Sequence, residues 1–261
     1  MTFSLDRYRL DGKVAVVTGA GGRGNSIGRA YALGLAAAGA SVVAADLNGD
    51  GARSVADEIT AAGGRAVSVQ VDITDRTSVD AMADAACKAF GGVDVLVNNA
   101  ALMMEIVRFP AMQISLDDWN RAFAVNVTGA LNCAQAIAPM MVARGGGRIV
   151  NQVSGGAFPA GSVYGVTKIA LVGLTTTLAR ELGRQGVTVN AIAPGNVMSD
   201  AGKALTPEDS PFVKMLENQV ALRLRGEPDE LLGALLLLCS EAGGWITGQV
   251  LHVDGGWIIR P

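Results

Sequence analysis

Residues 13–47 read KVAVVTGAGGRGNSIGRAYALGLAAAGASVVAADL, and the changes of pattern within them decide the fold. KVAVVTGA (13–20) is an unbroken apolar run that ends in glycine, the mark of a strand buried on both faces. IGRAYALGLAAAGA (27–40) turns to helical composition and closes at Gly39. SVVAADL (41–47) returns to the buried-strand pattern. A strand, a helix and a strand in so short a span read as a βαβ unit.

The alternation continues to the end of the chain. Helical patterns cover about 51–62, 77–90, 117–143, 162–184 and 228–240. Between them lie strands AVSVQVDIT (66–74), VDVLVNNAA (93–101), GRIVNQVS (147–154), VTVNAIAPG (187–195) and QVLHVDGG (249–256). Strands alternating with helices predict an α/β fold, a doubly wound parallel sheet of about seven strands of the Rossmann type. No linker or internal repeat interrupts it, so residues 1–261 are expected to form a single domain. Ligands of such folds bind at the carboxyl ends of the strands.

Composition narrows the function. Half of the 261 residues are hydrophobic and 17% are charged. Mean hydropathy is +0.34, enough for a large core with apolar surface left for a subunit interface. The net charge of −3 and the lack of a basic run argue against nucleic acid as a partner. Cys87, Cys133 and Cys239 are scattered with no CxxC pair, and His252 is the single histidine. The expectation is therefore a reducing compartment, no disulfides and no metal site. His252 lies in a strand pattern and reads as structural. The longest apolar run, LLGALLLLC (231–239), is far short of a membrane span, and MTFSLDRYRLDGK has no apolar core of a signal peptide. A cytoplasmic protein is expected.

TGAGGRGNSIG (18–28) follows the first strand and opens the first helix. Glycines there let the backbone approach a pyrophosphate, which a helix N-terminus attracts through its unpaired N–H groups. Asp46, 18 residues beyond Gly28, stands near the ~20 expected of a carboxylate that binds the adenosine ribose. A carboxylate at that point repels a 2′-phosphate, so NAD is the expected cofactor. Arg23 is the counter-signal, a base that could meet the phosphate of NADP. Leu47 rather than a second base follows Asp46, and NADP is the weaker expectation.

GSVYGVTK (161–168) sets Tyr164 and Lys168 one helical turn apart, where a cation can act on a phenol. Together with TGAGGRGNSIG, NNAA (98–101), Asn126, Ser154 and PGNVMS (194–199), this segment resembles the short-chain dehydrogenases/reductases in motif and order. The closing WITGQVLHVDGGW is similar to that family's C-terminal segment, and the likeness covers about residues 11–257.

The resemblance implies a catalytic tetrad of Asn126, Ser154, Tyr164 and Lys168. Tyr164 would be the general acid/base, with Lys168 bringing its phenol toward the working range and holding the nicotinamide ribose. Ser154 would bind the substrate oxygen, and Asn126 a water that links Lys168 to solvent. Gly19, Gly22, Arg23, Ser26 and Ile27 would surround the pyrophosphate, with Asp46 and Leu47 at the adenosine ribose. Asp72 and Ile73 would cradle the adenine, and Asn98, Asn99 and Ala100 would pass the ribose. Asn98 equally suits a strand-bridging hydrogen bond. Pro194, Gly195 and Val197 would follow the cofactor toward its nicotinamide, where Ser199 could meet the carboxamide.

The departures are specific. Three extra residues lengthen the glycine turn, as in the enoyl-reductase branch, which however spaces its Tyr and Lys further apart. Ser154 and Tyr164 are ten residues apart, about three fewer than usual, consistent with a shortened substrate loop. Ser162 is the alternative to Ser154. Met103, Met104, Phe158, Val163 and Met198 suggest an apolar pocket, and the polar segment 200–222 a mobile lid. Arg108, Arg223 and Arg225 are the bases available to an anionic substrate. Ala122, Ala124, Val125 and Ala130, with Ala170, Leu171, Gly173 and Leu174, permit the family's helix pairing, so a homotetramer is expected and a dimer second. The implied activity is an NAD-dependent oxidation of a secondary alcohol or reduction of a ketone, on a 3-oxoacyl/3-hydroxyacyl or cyclic substrate. A non-catalytic redox sensor and an enoyl reductase are the alternatives.

Overall fold

Each valine-rich run becomes a strand in the computed structural model, which describes residues 4–22, 24–107, 109–159, 161–207, 209–223 and 225–259. The strands are β1 (Val14–Thr18), β2 (Ser41–Asp46), β3 (Arg65–Gln70), β4 (Val95–Asn98), β5 (Gly147–Gln152), β6 (Val187–Pro194) and β7 (Val250–Val253). They form one sheet in the order β3-β2-β1-β4-β5-β6-β7, and every pairing is parallel. The doubly wound Rossmann-type sheet expected from the sequence is the fold observed.

Helices α1 (Ile27–Ala37), α2 (Gly49–Ala61), α3 (Arg76–Phe90), α4 (Leu116–Phe123), α5 (Gly129–Ala143), α6 (Val163–Leu182), α7 (Asp200–Leu205), α8 (Pro211–Glu217) and α9 (Leu232–Cys239) connect the strands. In β1, Ala15 and Val17 pack with Tyr31, Ile59 and Leu235 of α1, α2 and α9. Val16 points the other way, into a cluster with Met82 of α3, Ile137 of α5 and Leu178 of α6. Successive residues of a strand face opposite sides. Both sides are covered, so the runs show no polar alternation.

The chain winds from β1 to β3 in one direction and then restarts at β4 on the other side of β1. That reversal opens a crevice above the carboxyl ends of β1 and β4. The expected strand ends VDIT and NAA lie beyond the ladders, as loops at the rim of this crevice.

Two expected elements differ in form. The helix predicted over 117–143 is divided by a π turn at Ala124–Thr128, which holds the buried Asn126. One-turn π insertions of this kind recur at functional sites. The segment 200–222, expected to be polar and loosely packed, folds into α7 and α8. Ser199 and Ser210 cap their first turns, Pro211 stands at the first position of α8, and Val213 and Leu216 are buried. Serine followed by a helix-compatible first residue is a start signal, hidden here by the polar composition. Among the described residues no helix is long and apolar enough to cross a membrane.

Candidate active site

The crevice is a cleft of about 1560 Å³ that runs from the glycine turn, across the ends of β1, β4, β5 and β6, to the segment carrying α7 and α8. Its first wall is built by close backbone approach. Gly19 adopts φ +68°, and a Cβ on Gly28 would lie 2.0 Å from the Gly19 carbonyl oxygen. The Asn99 side chain fixes the turn by donating to the carbonyls of Thr18 (3.0 Å) and Gly19 (3.1 Å). The hydroxyl of Ser26 caps α1 by accepting from the Arg29 amide at 3.2 Å. The remaining N–H groups of this first turn face the cleft and could hold an anion.

Asp46 ends β2 at the edge of that wall. One carboxylate oxygen accepts from the Gly21 amide and the other from the Asn48 amide, each at 2.8 Å. Each oxygen keeps a further acceptor position, which suits a pair of ribose hydroxyls. Leu47, Asp72, Ile73 and Ala100 continue the wall. Arg23 and Arg108 lie outside the described residues.

The opposite wall carries the chemistry-bearing side chains. Tyr164 and Lys168 stand one turn apart on α6, with the Lys168 Nζ 5.5 Å from the centroid of the tyrosine ring. Tyr164 borders the cleft, and Ser154, on the loop after β5, is its hydrogen-bonding partner. Burial holds the phenol above its ordinary range, and the bond to Ser154 works against that rise. Lys168 is fully buried behind it and donates to the Gln152 carbonyl at 2.7 Å. Burial pushes its ammonium down to about 7. In the unliganded protein desolvation therefore dominates both groups and keeps the phenol protonated, the reverse of the lowering expected from Lys168. Ser162, the alternative to Ser154, caps α6 by accepting from the Gly165 amide at 3.1 Å.

Asn126 is buried beside this group, away from the cleft surface. Its side chain donates to the Leu102 carbonyl and to Thr167, both at 2.9 Å, and accepts from the Leu102 amide at 2.7 Å. The π turn thus pins the loop after β4, which brings Met103 and Met104 to the cleft. Asn98 also faces away from the cleft. It donates to Asn151 at 2.9 Å, bridging β4 and β5. Gly22, Ile27, Pro194, Gly195, Val197 and Ser199 all line the cleft as the resemblance implies. The Ser199 hydroxyl accepts from the Gly202 amide at 3.1 Å and keeps its own proton available.

The apolar end of the cleft is only partly as expected. Met103 and Met104 line it, but Val163 is in the core and Phe158 packs at a tilt against His252 with ring centroids 4.7 Å apart. Met198 lies against the guanidinium of Arg225, which also holds the Thr206 carbonyl. Arg223 pairs with Glu230. Arg225 thus braces the segment 200–222, while Arg223 ties the chain just after it to the turn before α9. Sequence reading missed Gln152, Asn196, Leu205, Met215 and Trp257, all on the cleft wall. The Asp254 carboxylate, which accepts from the amides of Gly256 and Ile258 at 2.9 Å each, shapes the turn that presents Trp257. The DGG triplet before Trp257 is the one sequence signal of that turn.

The two walls are joined where the glycine turn is longest. The Asn25 amide donates to the Asp200 carboxylate at 3.1 Å, and the Asp200 amide donates to the Asn25 carbonyl at 3.0 Å. Gly24 has φ +60°, and a Cβ there would sit 1.8 Å from an Asp200 carboxylate oxygen.

Known proteins share this architecture over its whole length. A family model described as enoyl-(acyl carrier protein) reductase matches residues 22–258. An uncharacterised oxidoreductase of Mycobacterium tuberculosis H37Rv is 48% identical over 251 residues, 96% of this chain and 99% of its own. A 7 alpha-hydroxysteroid dehydrogenase solved with NADH and 7-oxo glycochenodeoxycholic acid superposes with a TM-score of 0.89 at 38% identity, covering 99% of both chains. A gluconate 5-dehydrogenase of Burkholderia cenocepacia J2315, solved with NADP and tartrate, gives 0.90 at 36% identity over 98% of each chain.

Proposed function

The chain belongs to the short-chain dehydrogenase/reductase family of nicotinamide-dependent oxidoreductases, and from that premise we propose that it interconverts a bulky secondary alcohol and its ketone with NAD. The observation that carries this reading is the Ser154–Tyr164 pair on one cleft wall, backed by the buried Lys168, in a cleft that also holds the glycine turn and Asp46. The residues fit the cofactor. Close glycine backbone and the N–H groups that Ser26 leaves free in the first turn of α1 suit the pyrophosphate, and the Asp46 oxygens suit the ribose hydroxyls of NAD and repel a 2′-phosphate. When bound, the nicotinamide would supply the acceptor or donor of the hydride.

Ser154 and Tyr164 would hold the substrate oxygen between their hydroxyls. In the reducing direction the Tyr164 phenol gives its proton to the carbonyl oxygen as the carbon gains a hydride. In the oxidising direction the phenolate takes the alcohol proton as the carbon loses one. Because burial keeps the resting phenol protonated, reduction starts from the form already present near neutral pH. Oxidation needs the phenolate and is expected to rise toward alkaline pH. Lys168 would stabilise that phenolate, and Asn126 would hold the substrate loop through Leu102 and pass protons from Lys168 by way of water. Ser199 would offer its hydroxyl to the carboxamide.

The apolar side chains of Met103, Met104, Leu205 and Met215 favour a bulky, largely apolar substrate such as a cyclic alcohol, with a 3-oxoacyl/3-hydroxyacyl thioester second. The steroid complex of the similar hydroxysteroid dehydrogenase supports the first. The long glycine turn and the description of the family model favour enoyl reduction as the second reading. The Tyr164–Lys168 spacing speaks against it. Absorbance at 340 nm over cyclic alcohols, 3-hydroxyacyl thioesters and an enoyl thioester, with NAD and NADP, decides among these. Turnover of none of them, with tight NADH binding, would leave the non-catalytic sensor.

A cytoplasmic homotetramer is the proposed setting. Ala122, Ala130 and Leu171, expected between subunits, are buried within the chain, and Val125 faces the cleft. The proposed helix contact instead uses Val166 and Ile169, which are exposed on α6.

A further inference from the structure

Buried polar atoms without partners call for an explanation, because each forfeits its hydration. Among the described residues, two such atoms belong to side chains on the cleft wall, the Gln152 Oε1 and the Asn196 Nδ2. Asn196 is easily satisfied. Its amide lies 3.2 Å from the Thr206 hydroxyl, and a half-turn of the amide lets its N–H₂ donate there while that hydroxyl serves Gly202 at 2.7 Å. Gln152 makes no side-chain hydrogen bond with any described residue, so a half-turn leaves one end of its amide unpaired in either orientation.

The location of Gln152 indicates what could pair with it. It is the last residue of β5, in register with Ile192 of β6, and its own carbonyl anchors the Lys168 ammonium. Ser154 follows two residues later. A substrate oxygen held by Ser154 and Tyr164 would leave the rest of its molecule to the apolar side chains of the cleft, Met103, Leu205 and Met215. Gln152, which lines the same cleft as that pair from the end of β5, would be placed toward the ring of a bound cofactor instead. The nicotinamide ring carries one polar substituent, a carboxamide, whose N–H₂ is the donor that an unpaired amide oxygen lacks.

We propose that Gln152 is a cofactor-positioning residue whose side-chain oxygen accepts a hydrogen bond from the nicotinamide carboxamide, fixing which face of the ring is turned to the substrate. The proposal rests on the reading of the protein as a nicotinamide-dependent oxidoreductase. It adds a contact from β5 to the one expected from Ser199 on the other side of the cleft.

The test is calorimetric binding of NADH and of its reduced 3-acetylpyridine analogue, which has a methyl group in place of the amide N–H₂. Wild-type protein is expected to bind NADH about tenfold more tightly, as befits one buried acceptor left unpaired by the analogue. Gln152→Leu should weaken NADH by about that factor and leave the analogue unchanged, erasing the preference. Gln152→Met, closer in length, repeats the measurement should the leucine variant fold poorly. Equal wild-type affinities, a preference that survives in the variants, or equal weakening of both dinucleotides would overturn the proposal. So would unchanged dinucleotide binding with a raised substrate KM, which would assign Gln152 to the substrate. Failure of wild-type protein to bind either NADH or NADPH would instead remove the oxidoreductase reading itself.

Discussion

The glycine-turn wall and the lid wall face each other across one cleft and are made by opposite means. On the first, backbone touches backbone. A Cβ on Gly21 would lie 2.4 Å from the Ala52 nitrogen, and one on Gly51 would lie 2.1 Å from the Gly21 carbonyl. On the second, α7 and α8 span six and seven residues and are fastened by side chains, the caps Ser199 and Ser210 and the guanidinium of Arg225. One wall is defined by side chains that must be missing, and the other by side chains that can be exchanged. The wall proposed for the cofactor is thus set by backbone, whereas the wall proposed for the substrate can change its side chains without disturbing the sheet.

Substitutions at graded distances from the reacting atoms test this contrast. Tyr164→Phe keeps both walls and removes the proton, so turnover should fall about 10³-fold in the 340 nm assay, within the range of lost general acid–base catalysis. NADH affinity in the same variant should stay within about threefold, since the phenyl ring keeps the packing. Turnover that survives would show that the chemistry lies elsewhere.

Gly28→Ala attacks the rigid wall. Its methyl group overlaps the Gly19 carbonyl, and the overpacking should cost about 2–3 kcal/mol, read as weaker NADH binding and a lower Tm. Normal binding in this variant would mean that the turn yields, and the contrast between the walls would be lost. Asp46→Ala opens the same wall at its edge and should lower the preference for NADH over NADPH about tenfold, measured as the ratio of the two Kd values.

Lys168→Met probes the ammonium buried behind Tyr164. The folded ammonium titrates near 7, below its unfolded value near 10.4. Between those values the unfolded chain binds more protons, so stability of the unliganded protein rises with pH. The gain should be about 2 kcal/mol between pH 7 and 9 in wild type, and absent in the variant, by urea titration. Equal slopes would place the ammonium in contact with water. Ser210→Ala, which removes the cap of α8, should cost about 1 kcal/mol locally and raise substrate KM a few-fold with no change in NADH affinity. A matching loss of NADH affinity would mean that the lid is part of the rigid wall.

Much of the first wall was legible in the sequence because its signals are local. Gly19, Gly28 and Asp46 lie on one βαβ unit, and buried parallel strands announce themselves by unbroken apolar runs such as VAVV. Tyr164 and Ser154 were legible through their motif, and the structure brings them together. Gln152, Asn196 and Trp257 were not, since each reaches the cleft through strand order and a distant turn rather than through spacing along the chain. Asn98 suits a ligand contact or a strand bridge equally in sequence, and strand register turns it toward the bridge with Asn151. The two short helices within 200–222 were not legible because capped short helices and irregular polar loops share a composition. Likewise Ala122 and Leu171 suit an interface by size, and only packing shows that this chain buries them itself.

The bond between Asn25 and Asp200 gives the three-residue extension of the glycine turn a thermodynamic meaning. Asp200 begins α7, so α7 cannot swing outward at that end without releasing Asn25 and loosening the turn. Whatever orders the turn also orders the start of α7, and the coupling is reciprocal: a molecule that holds α7 in place would strengthen binding at the turn by the same factor. Affinities at the two ends of the cleft would then be set jointly, a molecule held at one end favouring binding at the other.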